Sequence, residues 1–521
     1  MKLKYIFLPA AVVAVVVSIL TGCAEKQENS DGVPTLTYWC PFYANYTGVF
    51  NSLNDTPFYK GLEERTGVRL NFIHPPADQV EEGFDLMISS GDLPDLIEHS
   101  FLGETIGYKG GPSRAMQDNI IIDVTDLINT KAPNLKKVLE EHPDWDRLVK
   151  TDEGRYYCFP ALRGDASLAF WTGLQMRSDY LQKVNMEAPE TIDEWETVLT
   201  AFRDQLGLPY PLTFPNASFS PVNHFVGAFG VTVDFYLEGD TVKYGPLEPG
   251  YLDFLKLFQR WMEQGLLDPD FATHDIKVFD AKIASGEAGA YQNSVGGGMG
   301  KYLVTTKKNN PEANITAVKF PVLQKGDKVK FGYYTCDYTP HQSVSITTAC
   351  KDLDAAARFL DYGYSQEGKM YYNFGEEGVS YNMVNDYPTY TEEVTNNPDG
   401  LDMNQGIVKY SRANLLGPMI QDGRYFEQYM VNPQQKEAPE IWKLDDTSWC
   451  VPPITLTEEE SKIVASRLTE ITKYVREMEI KFIMGVEPFS NYDAFCSRIR
   501  NMGIDEVLAA QQAALVRFNN R

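Results

Sequence analysis

Leu62-Glu63-Glu64-Arg65-Thr66-Gly67 runs directly into Val68-Arg69-Leu70-Asn71-Phe72-Ile73, and the reading of this stretch decides the fold class. The first half is charged and reads as the end of a helix, with Gly67 placed to stop it by taking a left-handed conformation. The second half alternates apolar and polar residues, the period of a half-buried strand. Upstream, Thr35-Leu36-Thr37-Tyr38-Trp39 is a β-rich run. Downstream, a helix is predicted over about Ala77 to Ser90, Gly91-Asp92-Leu93-Pro94 is a turn, and Asp95-Leu96-Ile97-Glu98 begins another strand. Strand, helix, strand, helix, strand with short connections is a βαβ pattern. It predicts an α/β protein built on a mainly parallel sheet.

Further along, Thr191-Ile192-Asp193-Glu194 and Thr457-Glu458-Glu459-Glu460 are capping boxes, in which a Thr hydroxyl accepts from an orphan amide and the Glu reaches back. Asp352 to Gly363 is Ala-rich and reads as helix. The second box opens a long helix with Val464, Leu468, Ile471, Val475, Met478 and Phe482 at steps of four and three. That stripe is read as packing on its own domain rather than as a coiled coil, because it is short and ends at Gly485. Trp145, Trp195 and Trp261 fall in helical patterns and are assigned to the core.

The N-terminus carries different information. Lys2 and Lys4 precede an apolar run from Tyr5 to Leu20, then Leu20-Thr21-Gly22-Cys23. Basic start, apolar middle and small residues at the cut are the order of a secretory signal. The run is shorter than the roughly 20 residues of a membrane helix. Cys23 after small residues resembles the lipobox of bacterial lipoproteins, where the thiol takes up a lipid. Ala24 to Pro34 is polar, as suits a tether. These features predict a signal over 1–22, lipidation at Cys23, a tether over 23–34, and a domain held at the extracytoplasmic face of the cell membrane.

The whole chain has 47 Lys and Arg against 72 Asp and Glu, a net charge of −25. Such a balance argues against nucleic acid as a partner. Beyond Cys23 the cysteines are Cys40, Cys158, Cys336, Cys350, Cys450 and Cys496, with no C-x-x-C pair, which argues against zinc. Both disulfides and buried free thiols are compatible with the spacing.

Four stretches carry a family resemblance. Leu62 to Val68 is similar to a "helix, T-G-I/V, strand" element, and Ile88-Ser89-Ser90-Gly91-Asp92-Leu93-Pro94-Asp95-Leu96-Ile97 to an "A/S-G-D-x-P-D-I/V" loop. Phe374-Gly375-Glu376-Glu377-Gly378-Val379-Ser380-Tyr381 matches "W/F-G-x-E-G-x-x-Y". Phe482-Ile483-Met484-Gly485, Met502-Gly503-Ile504-Asp505 and Arg517-Phe518-Asn519 match a C-terminal "F-I-x-G … G-(I/L)-D … R-(Y/F)". Together, from about Thr35 to Arg521, the chain resembles the substrate-binding lipoproteins of carbohydrate ABC importers. These are the family 1 extracellular solute-binding proteins, here of their long, mostly Gram-positive branch.

The resemblance implies a two-lobed, type II periplasmic-binding-protein-like fold, each lobe a mainly parallel sheet flanked by helices, with a hinge between. One lobe is expected over 35–165 plus about 320–360, the other over 166–319 plus about 361–521. It implies a monomer that binds a carbohydrate, an oligosaccharide, and passes it to permease subunits without a cofactor or catalysis. Alginate-type relatives have a calcium loop where this chain reads Arg203-Asp204-Gln205-Leu206-Gly207-Leu208-Pro209-Tyr210. That run lacks the alternating oxygen ligands, so no metal site is expected there.

In parallel sheets, ligands meet the carboxyl ends of strands. Three such ends are expected to face the ligand: Trp39 and Tyr43; Glu98, His99 and Ser100; and Tyr291, Gln292 and Asn293. Aromatic rings pack on the apolar faces of sugars and polar groups bond their hydroxyls. Trp39, Trp171, Tyr334 and Trp449 are candidate platforms, and Arg163, Asp179, Gln292 and Glu377 candidate polar partners. Gly296-Gly297-Gly298-Met299-Gly300 lacks the Lys-Ser/Thr of a phosphate loop and is read as a flexible loop. Rival readings are a binder of peptides or other solutes, a sugar-sensing lipoprotein without transport, and an exported glycoside hydrolase. For the hydrolase, no motif pairs two carboxylates.

Overall fold

The helix Pro57–Thr66 ends at Gly67, whose φ of 63° places it in the left-handed region and lets its amide bond back to the Glu63 carbonyl. Strand β2 (Arg69–Ile73) follows at once, buried on alternate residues, beside β1 (Thr35–Trp39). The two run parallel, in register from Thr35 opposite Arg69 to Trp39 opposite Ile73. The next helix starts at Val80, three residues later than the sequence pattern indicates, and ends at Ser90. It leads to β3 (Leu96–Glu98), parallel to β1 on its other side. The structure, a computed structural model, describes residues 32–77, 79–102, 106–215 and 224–521. The signal segment, Cys23 and all but the last residues of the tether lie outside them.

The remaining strands are β4 (Phe159–Arg163), β5 (Thr172–Arg177), β6 (Tyr210–Thr213), β7 (Phe235–Glu238), β8 (Thr241–Tyr244), β9 (Ala288–Ser294), β10 (Ile315–Val318), β11 (Tyr338–Ile346), β12 (Tyr381–Val384), β13 (Tyr387–Tyr390) and β14 (Ile420–Gln421). The first sheet has the order β14-β4-β11-β3-β1-β2 and the second β10-β5-β9-β6, while β7-β8 and β12-β13 are hairpins. In the first sheet only β11 runs antiparallel to its neighbours. In the second, β6 and β9 are parallel and the other pairings antiparallel. The expected parallel character therefore belongs to the first sheet. The second is mixed, because β5 and β10 carry the chain in from and back out to the other sheet.

Buried apolar side chains form two clusters, one around each sheet, so the molecule has two lobes. Between strands of the two sheets the chain crosses from β4 to β5 and from β10 to β11, and it leaves the first sheet for good after β14. Beyond residue 360 the chain serves both cores: Tyr364, Tyr371, Tyr372, Val408, Met419 and Ile420 belong to the first, and Phe374, Tyr381, Tyr390, Val394, Ile407 and Ala413 to the second. Helices Leu353–Tyr362 and Gln366–Phe374 lay apolar faces on the first core. Both capping boxes are formed. In the helix Glu458–Ile483 the whole stripe from Val464 to Phe482 is buried in the second core, against the helices Pro249–Glu263 and Ile504–Asn519. Trp195 and Trp261 are fully buried, whereas Trp145 is half-buried and donates its Nε1–H to Asp337 at 2.9 Å. All six described cysteines are free thiols. No helix among the described residues is long and apolar enough to cross a membrane.

Candidate functional site

A cleft of about 610 Å³ opens where the two lobes meet, within the roughly 300–1,000 Å³ of small-molecule sites. The two crossings and the exit from the first sheet supply much of its wall. Arg163, Leu168 and Trp171 come from the first crossing, Tyr333 and Thr335 from the second, and Gln421, Tyr425, Phe426 and Tyr429 from the exit. Tyr43 and Asn45 stand beyond β1, Thr339, His341 and Gln342 on β11, and Ser294 to Gly297 at the end of β9. Asn404 and Asn414 to Leu416 complete it.

The lining mixes ring faces with amides. Trp171 meets Tyr333 edge-on, with ring centroids 5.0 Å apart. Asn45 donates to Asn404 Oδ1 at 3.0 Å, and Asn414 donates to the same oxygen. Gln421 accepts from Arg163 Nη1 at 3.0 Å and donates to Tyr425 at 3.1 Å. Several polar atoms of this wall are buried without a hydrogen-bond partner: Trp171 Nε1, Arg163 Nε, Thr339 Oγ1, Gln342 Oε1 and Asn414 Oδ1. An unmade hydrogen bond on a buried group costs about 1–3 kcal/mol, so in a cleft wall such atoms are candidates to bond a polar ligand. Donors and acceptors are both present, which matches hydroxyl groups.

The segment 295–300 is a π-helical turn joined to the helix Lys301–Asn309, not a flexible loop. Ser294 Oγ accepts from Gly298 N at 3.1 Å. A methyl group on Gly296 would lie 2.1 Å from Cε1 of Tyr429, so glycine there lets the ring close on the backbone.

Beneath the cleft floor lies a buried ion pair. Arg412 Nη2 bonds Glu98 Oε1 at 2.7 Å, and Arg412 Nη1 bonds Tyr59 at 2.6 Å. Tyr38 donates to the other Glu98 oxygen at 2.8 Å. Burial opposes the charge on Arg412, but Glu98 overcomes this and holds its pKa well above the ordinary value. The pair fixes the segment that leads to Asn414, Leu415 and Leu416. Leu416 sits at φ 60°, a left-handed conformation that is strained for a leucine.

Of the candidates named from sequence, Tyr43, Arg163 and Trp171 line the cleft. The others do not. Trp39 is buried against Phe84 and His99. Glu98 is spent on Arg412, and His99 is buried 3.0 Å from Glu81, its pKa lowered by burial. Asp179 holds Arg177 through two bonds of 2.7 and 2.8 Å. Tyr291 and Gln292 are buried because β9 continues to Ser294, so the strand end falls later than expected. Tyr334 and Trp449 line a separate cavity of about 220 Å³ with His224 and Phe331. Glu377 is exposed in a surface depression with Lys369 and Arg424. The sequence reading missed the three asparagines, Gln342, Gln421 and the Tyr425-Phe426-Tyr429 face. Only the glycine run at 296–298 offered a local signal.

Residues 43–370 match the sequence profile of the bacterial extracellular solute-binding proteins. The fructooligosaccharide ABC transporter substrate-binding protein FusA of Streptococcus pneumoniae is 23% identical over 88% of this chain and 86% of its own. Lipoprotein LipO of Bacillus subtilis is 22% identical over 79% of this chain and 80% of its own. Among solved structures, the alginate-binding protein AlgQ2 without calcium superposes with a TM-score of 0.76 at 22% identity, covering 93% of this chain and 98% of its own. FusA in complex with kestose gives 0.73 at 21% identity, covering 93% and 99%.

Proposed function

The chain belongs to the family of bacterial extracellular solute-binding proteins, and from that premise we propose that it captures an oligosaccharide between its lobes and delivers it to the permease subunits of an ABC importer. The carrying observation is the cleft wall, where Trp171, Tyr333 and Tyr43 stand beside buried donors and acceptors left without partners. Sugars present apolar C–H faces and hydroxyl edges, and this wall complements both. The names of the relatives, a fructooligosaccharide binder and an alginate binder, point the same way.

The protein acts as a binder rather than a hydrolase. Glycoside hydrolysis needs two carboxylates flanking the bond, and none of the described residues lining the cleft carries one. Ligand closes the two lobes as rigid bodies, and the permease reads the closed form. A lipid on Cys23 moors the monomer beside the permease and raises its effective concentration there. The relative LipO is itself called a lipoprotein.

The decisive experiment is a thermal-shift screen over mono- and oligosaccharides, with short peptides alongside. A ligand at about 100 times its Kd adds about 2.7 kcal/mol of stability and raises Tm. A rise with sugars and none with peptides supports the reading; the reverse pattern overturns its ligand class.

A further inference from the structure

Three arginines are buried among the described residues: Arg163, Arg177 and Arg412. Two have an acid. Arg177 presents its Nε and Nη2 edge to the two oxygens of Asp179, at 2.7 and 2.8 Å. Arg412 holds Glu98. The buried Lys282 likewise sits on Asp268, at 2.7 and 2.9 Å. This is the ordinary rule, since burying a charge costs far more when no opposite charge meets it.

Arg163 departs from the rule. It is 8% exposed and forms no ion pair among the described residues. Its Nη1 is occupied by Gln421 Oε1 and the Leu168 carbonyl. Its Nε is buried without a partner, as is that of Arg412, and among the described residues no acceptor meets Nη2, so what sets Arg163 apart is that its guanidinium has no carboxylate. Asp337, whose charge acts on Arg163, bonds Trp145 through its carboxylate. The other cleft residues are aromatic, amide, hydroxyl, aliphatic or glycine, together with His341, whose imidazole burial keeps neutral. Among the described residues the cleft wall thus holds one fixed positive charge and no negative one.

Building on the carbohydrate reading, we propose that the ligand is an acidic oligosaccharide and that Arg163 receives its carboxylate, as a uronic acid would supply. A guanidinium edge matches a carboxylate with two parallel charge-assisted bonds, which a neutral hydroxyl does not reproduce. The protein's net charge of −25 repels anions at long range. Selection of an acidic sugar therefore rests on this short-range contact.

The test is a titration-calorimetry panel of galacturonate, glucuronate, mannuronate and guluronate oligomers beside their carboxyl-reduced neutral counterparts. The wild-type protein is expected to bind one acidic member about 10–100-fold more tightly than its neutral counterpart, the discrimination of a bidentate charge-assisted pair. Arg163→Gln brings this ratio close to one, while Arg163→Lys, which keeps charge but not the fork, retains part of it. Neutral oligomers that bind the wild type as tightly as acidic ones overturn the proposal and leave the carbohydrate reading standing. If no sugar of either kind binds, the carbohydrate reading itself fails and the proposal falls with it. The acid-to-neutral ratio on wild-type protein decides the matter even if a variant does not fold.

Discussion

Two buried arginines flank the same cleft in opposite company. Under its floor, Arg412 is 1% exposed, with its two terminal nitrogens held by Tyr59 and Glu98. On its wall, Arg163 is 8% exposed and meets only neutral acceptors. Their titration follows: Glu98 drives Arg412 above the ordinary guanidinium value, while burial pulls Arg163 below it. A charge that the fold itself neutralises is a structural fixture. A charge that the fold leaves uncompensated beside a cavity is available to a ligand, and the difference separates positioning from recognition.

The largest effect tests the paired site. Glu98→Ala strands the Arg412 charge and is expected to cost about 3–5 kcal/mol of unfolding free energy in chemical denaturation. Replacing both partners with apolar residues recovers most of that loss. A cost under about 1 kcal/mol for the single variant would remove Glu98 from its structural role.

A third kind of buried titratable group sharpens the contrast. His224 has no charge to pair, and burial lowers its pKa from 6.5 to about 3. Below pH 6.5 the unfolded chain takes up a proton that the folded chain refuses until about pH 3, so stability falls across that window. At pH 4.5 this removes about 2–3 kcal/mol relative to pH 7. His224→Gln is expected to lose less stability than the wild type over the same interval, read from denaturation at both pH values. Equal losses would show that another group controls the acid limb.

The smallest effect belongs to the unpaired site. Arg163→Gln relieves a buried charge that no acid compensates but gives up its bonds to Gln421 and the Leu168 carbonyl; the two oppose, so the stability of the ligand-free protein should fall by no more than about 1 kcal/mol. A loss near that of Glu98→Ala would make Arg163 a structural residue like Arg412, and would erase the comparison.

Much of the framework was legible along the chain. The helix stop at Gly67, the alternating strand after it and both capping boxes are short-range patterns, and each formed where it was read. The site was less legible. Tyr43 and Trp171 could be named as aromatics beside strands, yet Trp39, with the same credentials, turned into the core. Glu98 and Asp179 looked like ligand groups because they are acids near strand ends. Arginines more than 300 residues away and two residues away, respectively, claimed them.

The sequence alone determined the class of fold, the segments that become helix or strand, and the resemblance that points to a solute-binding protein, because these depend on periodicity and on neighbours a few residues apart. Tertiary structure alone decided which polar groups face the cleft. That wall is assembled from residues as distant as Tyr43, Arg163, Ser294 and Tyr429, brought together at the crossings between lobes. Whether a side chain there is spent or left for a ligand depends on the partner that packing delivers, and no local pattern records that partner.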